Sequence, residues 1–143
     1  MAPPIVLLIL ACSQPAPSVR VGDLRIEPNY VNASPAGDGG SAYFIVRNTG
    51  SLPDTIVAVA VAGASAAHLH TMIGTGGAGR MTPLEPAIVP AGGALMLRPG
   101  EAHLMFEGTA RQIRLGDTVA VSLRFARAGG VTVPLVVQPY GGS

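Results

Sequence analysis

Glycine and proline break this chain so often that no stretch sustains a helical period. Nineteen glycines and thirteen prolines are spread along 143 residues, with short apolar-rich runs between them. These runs alternate with the two-residue period of a strand. In 55–61, Ile56, Ala58 and Ala60 stand against Val57, Val59 and Val61. Similar runs occupy 19–27, 42–47, 68–73, 80–84, 94–98, 103–107, 119–126 and 131–137. Pro28-Asn29 and residues 34–40 read as breaks, and a short helical turn is expected at 64–67. Strands at regular intervals with turn residues between them predict one all-β domain of sandwich type.

Charge and motif content remove several function classes. The formal net charge is +1, only 12% of residues are charged, and every basic residue is arginine, so there is no basic patch for nucleic acid. No apolar run reaches the length of a membrane-spanning helix. The acidic residues are few and scattered, and no strand-turn-helix serine motif appears, so the chain does not read as an enzyme. Gly74-Thr75-Gly76-Gly77-Ala78-Gly79 matches a dinucleotide-binding fingerprint, but that fingerprint must open a helix. Here Pro83 and Pro86 follow closely and the flanks look extended, which predicts a hairpin loop instead.

The N-terminal segment stands apart. Residues 1–12 are short and apolar, as in a leader. Ile9-Leu10-Ala11-Cys12 resembles a bacterial lipobox, in which Cys12 would carry a lipid anchor; an ordinary cleaved signal peptide is the alternative. Residues 13–18, with Pro15 and Pro17, read as a tether, 19–138 as the folded domain and 139–143 as a short tail. Cys12 is the sole cysteine. The domain therefore has no disulfide framework, no thiolate zinc site and no cysteine–histidine blue-copper centre.

All three histidines, and every methionine except Met1, fall within residues 68–105. His103 and Met105 are two apart, so on a strand they share a face about 7 Å apart, with Leu104 and Phe106 turned to the core. His68, His70 and Met72 repeat the pattern, with Leu69 and Ile73 on the other side. A single methionine is usually a gap filler, and Met96 between Leu95 and Leu97 reads that way. Methionines that share a face with histidines are different, because imidazole and thioether together select a soft ion such as Cu(I). A turn centred between Thr75 and Gly76 would set His70 directly across from Met81. Glu107 reads as a solvated carboxylate.

The spacing His70, ten residues, Met81, twenty-one residues, His103, one residue, Met105 resembles the signature of the periplasmic copper chaperones known as PCu(A)C. The surroundings agree: Ser41-Ala42-Tyr43-Phe44, Asn48-Thr49-Gly50, Asp54, Arg80-Met81 and Pro90-Ala91-Gly92-Gly93. The resemblance spans 19–137. It implies an all-β, cupredoxin-like Greek-key sandwich or barrel in the bacterial periplasm or cell envelope. It also implies Cu(I) as cargo, with His70, Met81, His103 and Met105 as ligands. The recipient would be a cytochrome oxidase subunit or another copper-assembly protein. His68 and Met72, on the same projected face, are auxiliary candidates. A tail without His or Met offers no second site. The competing reading is a non-metal β-sandwich adhesion or scaffold module in which these side chains are incidental.

Overall fold

The structure, a computed structural model, describes residues 16–74 and 79–139. The leader with Cys12, the first part of the tether, the middle of the Gly74–Gly79 loop and the end of the tail lie outside the described residues. Among those described there are eleven strands and no helix. They are β1 (Val19–Val21), β2 (Leu24–Ala33), β3 (Gly39–Asn48), β4 (Asp54–Val61), β5 (Ala66–Ile73) and β6 (Arg80–Pro83). Then come β7 (Ala87–Val89), β8 (Ala94–Leu97), β9 (His103–Glu107), β10 (Thr118–Phe125) and β11 (Gly129–Gln138).

The strands form one path in the order β6-β5-β9-β3-β2-β11-β10-β4-β7, with β1 added to β2 and β8 to β3. Its two halves meet at a short parallel pair, Val137 beside Val31 and Gln138 beside Asn32. Every other strand pairing is antiparallel. Alternation explains how the halves close on each other. β10 buries Val119, Val121, Leu123 and Phe125 and leaves the residues between them at the surface. Those side chains join Ile26, Val31, Phe44, Val46, Leu104 and Phe106 from the other half in one core cluster. Removing each such side chain from water stabilises the fold by about 1.5–3 kcal/mol. The all-β sandwich expected from the alternation is the observed architecture.

Several boundaries differ from the expectation. Residues 19–27 are split by a turn at Gly22, whose φ of +54° suits glycine. Pro28-Asn29 does not end β2, because a register shift between Pro28 and Tyr30 accommodates the proline as a bulge. Residues 64–67 form no helical turn; Ala66 and Ala67 already pair with Glu107 and Phe106.

Two features fix where β5 and β9 lie. β8 and β9 run in the same direction along β3, and between them the chain loops out through a turn at Arg98–Glu101: Glu101 N–H donates to Arg98 O at 3.1 Å and Arg98 Nε to Glu101 Oε2 at 2.7 Å. That turn launches β9 at His103. At the other end of β9, Ser65 N–H donates to the carbonyls of Glu107 (3.0 Å) and Gly108 (3.1 Å). A Cβ on Gly108 would lie 1.9 Å from Ser65 Oγ, and its φ is +68°. Only glycine allows this close approach, which sets the register of β5 on β9.

Candidate metal centre

The register places all six His and Met candidates on one face of three adjacent strands. Across β5 and β9, His68 stands opposite Met105, Leu69 opposite Leu104 and His70 opposite His103. Across β5 and β6, Met72 stands opposite Met81 and His70 opposite Pro83. Directly opposed residues project from the same side, and so do residues two apart on one strand. Leu104 is fully buried and Leu69 packs against the core, so their side is the inner one. His68, His70, Met72, Met81, His103 and Met105 therefore share the outer face.

The arrangement is a ladder with three rungs. Its middle rung is His70–His103, whose ring centroids are 5.8 Å apart and near edge-on at 64°. One flanking rung is His68–Met105 and the other Met72–Met81. The His68 ring lies 6.0 Å from that of His70. Met81 is not directly across from His70, as a turn between Thr75 and Gly76 would have put it. The connection runs over residues 74–79 and pairs Met81 with Met72, which makes Met81 the diagonal neighbour of His70. Such diagonal neighbours lie about 7–8 Å apart, somewhat less between Cβ atoms, within reach of a long side chain. Met105 is the other diagonal neighbour of His70, across β9. The two thioethers thus flank the imidazole pair from opposite corners.

The setting of His103 favours its neutral form. His103 is only 8% exposed, and burial pushes its imidazole below the ordinary 6.5. The neighbouring His70 acts in the same direction, while a backbone hydrogen bond with Glu101 opposes both. Neutral imidazole is the form that binds metal. The Nδ1 atom of His70 is buried and makes no hydrogen bond. A buried ring nitrogen without a partner costs stability and is a natural seat for a metal contact. Among the described residues no three His, Cys, Asp or Glu side chains converge on a point. The other side-chain donors on this face are the thioethers of Met72, Met81 and Met105, and sulfur with imidazole suits Cu(I).

The remaining candidates fall out differently. Met96 pairs with Ile45 on the β3–β8 ribbon and is half-buried, away from the ladder. Glu107 is exposed, as expected of a solvated carboxylate. Asp54, singled out by sequence only as part of a pattern, is a buried structural acceptor. Its Oδ1 takes N–H groups of Thr55 (2.8 Å) and Arg127 (2.9 Å), and its Oδ2 that of Ala128 (2.9 Å).

A profile described as "Putative lipoprotein LpqE-like" matches residues 21–137. The chain belongs to the LpqE-like family. A relative from Leifsonia xyli subsp. xyli, named "Putative lipoprotein Lxx21020", is 30% identical over 136 residues, covering 94% of this chain and 81% of the relative. Among solved structures, the apo PCuAC domain from PmoF1 superposes with a TM-score of 0.70 at 23% identity, covering 85% of this chain and 98% of that domain. The copper-bound PCuAC domain from PmoF2 matches with a TM-score of 0.70 at 22% identity, covering 85% and 97%. The solution structure of CuI-DR1885 from Deinococcus radiodurans matches with a TM-score of 0.65 at 25% identity, covering 89% and 84%. This LpqE-like chain therefore has the cupredoxin-like β-fold of PCuAC domains, as the His/Met spacing implied. No helix among the described residues is long and apolar enough to cross a membrane.

Proposed function

We propose that this LpqE-like domain binds one Cu(I) through His70, Met81, His103 and Met105 and carries it in the bacterial envelope. The observation that carries this reading is the middle rung of the ladder, an opposed pair of imidazoles flanked at two corners by thioethers. The copper-bound PmoF2 domain and CuI-DR1885 are neighbours in fold and support the choice of ion. All four donors are uncharged, so the bound ion keeps its single positive charge and Cu(I) is favoured over Cu(II).

Carrying needs no chemistry on a substrate, only a site that holds the ion and yields it to another set of donors. Met81, 48% exposed at the end of the sheet, gives a partner access. His103, buried at the start of β9, gives retention. The recipient fits a copper-site assembly step of cytochrome oxidase, either an oxidase subunit or another assembly protein. A lipid anchor at Cys12 would hold the carrier at the membrane surface on the periplasmic side, consistent with the family description.

The test is a titration against a Cu(I)-specific chromophoric chelator, using the full chain with Cys12→Ser so that no thiol contributes. One Cu(I) per chain, undisturbed by an equal concentration of Zn(II), is expected, since thioether does little for the harder ion. Displacement of Cu(I) by zinc, or no binding at all, would overturn the reading.

A further inference from the structure

Met72 stands apart from the four ligands proposed above, yet the register gives it the best-placed position next to them. It is two residues from His70 on β5 and directly opposite Met81 on β6. Pro83, which brings no donor, fills the fourth corner of that block, opposite His70. The two ends of the ladder are unequal. Beyond Met105 the sheet continues into β3, where Ser41 is opposite Met105 and Tyr43 lines the same groove. Beyond Met81 there is no further strand among the described residues, because β6 ends the sheet path. Exposure follows the same direction, from 8% at His103 through half-buried His70 and Met72 to 48% at Met81.

We propose that Met72 is a transfer ligand, through which Cu(I) moves between the His70–His103 rung and the open edge of the sheet. This inference rests on the Cu(I) reading of the site. Shedding all four donors at once would break every coordinate bond before a new one forms, so the ion exchanges them one at a time. From its resting position it forms a bond to Met72 as it loses Met105, and then loses His103. It is then held by His70, Met72 and Met81. Met72 stands one rung from His70, about 7 Å along the strand, so the ion keeps His70 and Met81 while its remaining donors change. A soft donor from the recipient, thioether, thiolate or imidazole, then binds at the exposed side and draws the ion off. Copper stays Cu(I) throughout; only coordinate bonds form and break. Met72 is suited to this by its flexible, polarisable side chain.

The test compares Met72→Leu with the parent, both as full chains with Cys12→Ser. The Cu(I)-loaded protein is mixed with bicinchoninate, and both the final equilibrium and the transfer rate are recorded. Leucine conserves volume, so folding should be retained and is checked by melting; Met72→Gln serves as a second variant of similar length. The expected result is unchanged Cu(I) stoichiometry and affinity with transfer about tenfold slower, the low end of what losing one supporting contact around a metal costs. Met96→Leu, on the β3–β8 ribbon away from the ladder, should leave the rate unchanged. Transfer by Met72→Leu at the parent rate would overturn the inference, and so would a loss of affinity matching that of Met81→Leu, which would make Met72 a resting ligand. A parent that binds no Cu(I) would instead sink the function proposed for the site.

Discussion

Asp54→Asn is the substitution whose cost can be worked most directly from contacts. The carboxylate is 6% exposed and accepts three backbone N–H groups, two on Oδ1 and one on Oδ2. It ties the start of β4 to the turn between β10 and β11. Burial alone would raise its pKa, but hydrogen bonds from Arg127, Thr55 and Ala128, with the Arg127 charge, hold it below the ordinary 3.8. Asparagine keeps one acceptor oxygen for Thr55 and Arg127, while its amide turns a donor toward the N–H of Ala128. One charge-assisted bond is lost, the other two are weakened, and the half-buried Ala128 N–H loses its acceptor, for about 2–4 kcal/mol in total. For a domain of this size each kcal/mol shifts Tm by roughly 3–6 °C, so Asp54→Asn should lower it by roughly 6–24 °C.

The pH dependence follows from the direction of the shift. Because the folded pKa is lowered, the unfolded chain takes up the proton first on acidification. The stabilisation is therefore complete above 3.8 and is lost as the pH falls through the folded value. Thermal melting of both proteins at neutral pH and at decreasing pH would show the difference shrinking in acid. Cu(I) stoichiometry at room temperature should not change, since Asp54 is not on the β6-β5-β9 ladder. A melting temperature within about 2 °C of the parent at neutral pH would refute the role given to this carboxylate.

Three other outcomes are expected. Met81→Leu conserves side-chain volume and removes a donor, so a chelator competition should show loss of tight Cu(I) binding, while the apo melting temperature barely moves. His103→Ala should weaken Cu(I) binding far more than His68→Ala, because His103 is the buried half of the middle rung and His68 is exposed; equal losses would put His68 among the ligands. Oxidising the methionines to sulfoxide replaces soft sulfur by a polar oxygen and should abolish Cu(I) retention, as followed by mass spectrometry with the same competition.

The strands that could be read from sequence were those with clean alternation. Residues 103–107 were placed with their observed bounds, and the same-face relation of His103 to Met105 followed from the two-residue period alone. β7 was missed because three residues between Pro86 and Pro90 are too few to show alternation. The continuation of β2 past Pro28 was missed because a bulge leaves no signature in composition. Cross-strand relations were the least legible. Spacing names His70, Met81, His103 and Met105, but cannot tell which of them are directly opposed. That depends on the Ser65–Gly108 contact, which sets β5 against β9, and on a loop that pairs Met81 with Met72. Loop length allowed both pairings of Met81, and only the fold selects one.

X-ray absorption at the copper K-edge, on the Cu(I)-loaded Cys12→Ser chain, tests the central claim most directly, because it counts the sulfur and nitrogen atoms bound to the ion. The account predicts both kinds of scatterer in comparable numbers, and a drop in the sulfur contribution on Met105→Leu. A shell of nitrogen and oxygen alone, unchanged by Met81→Leu and Met105→Leu, would contradict it.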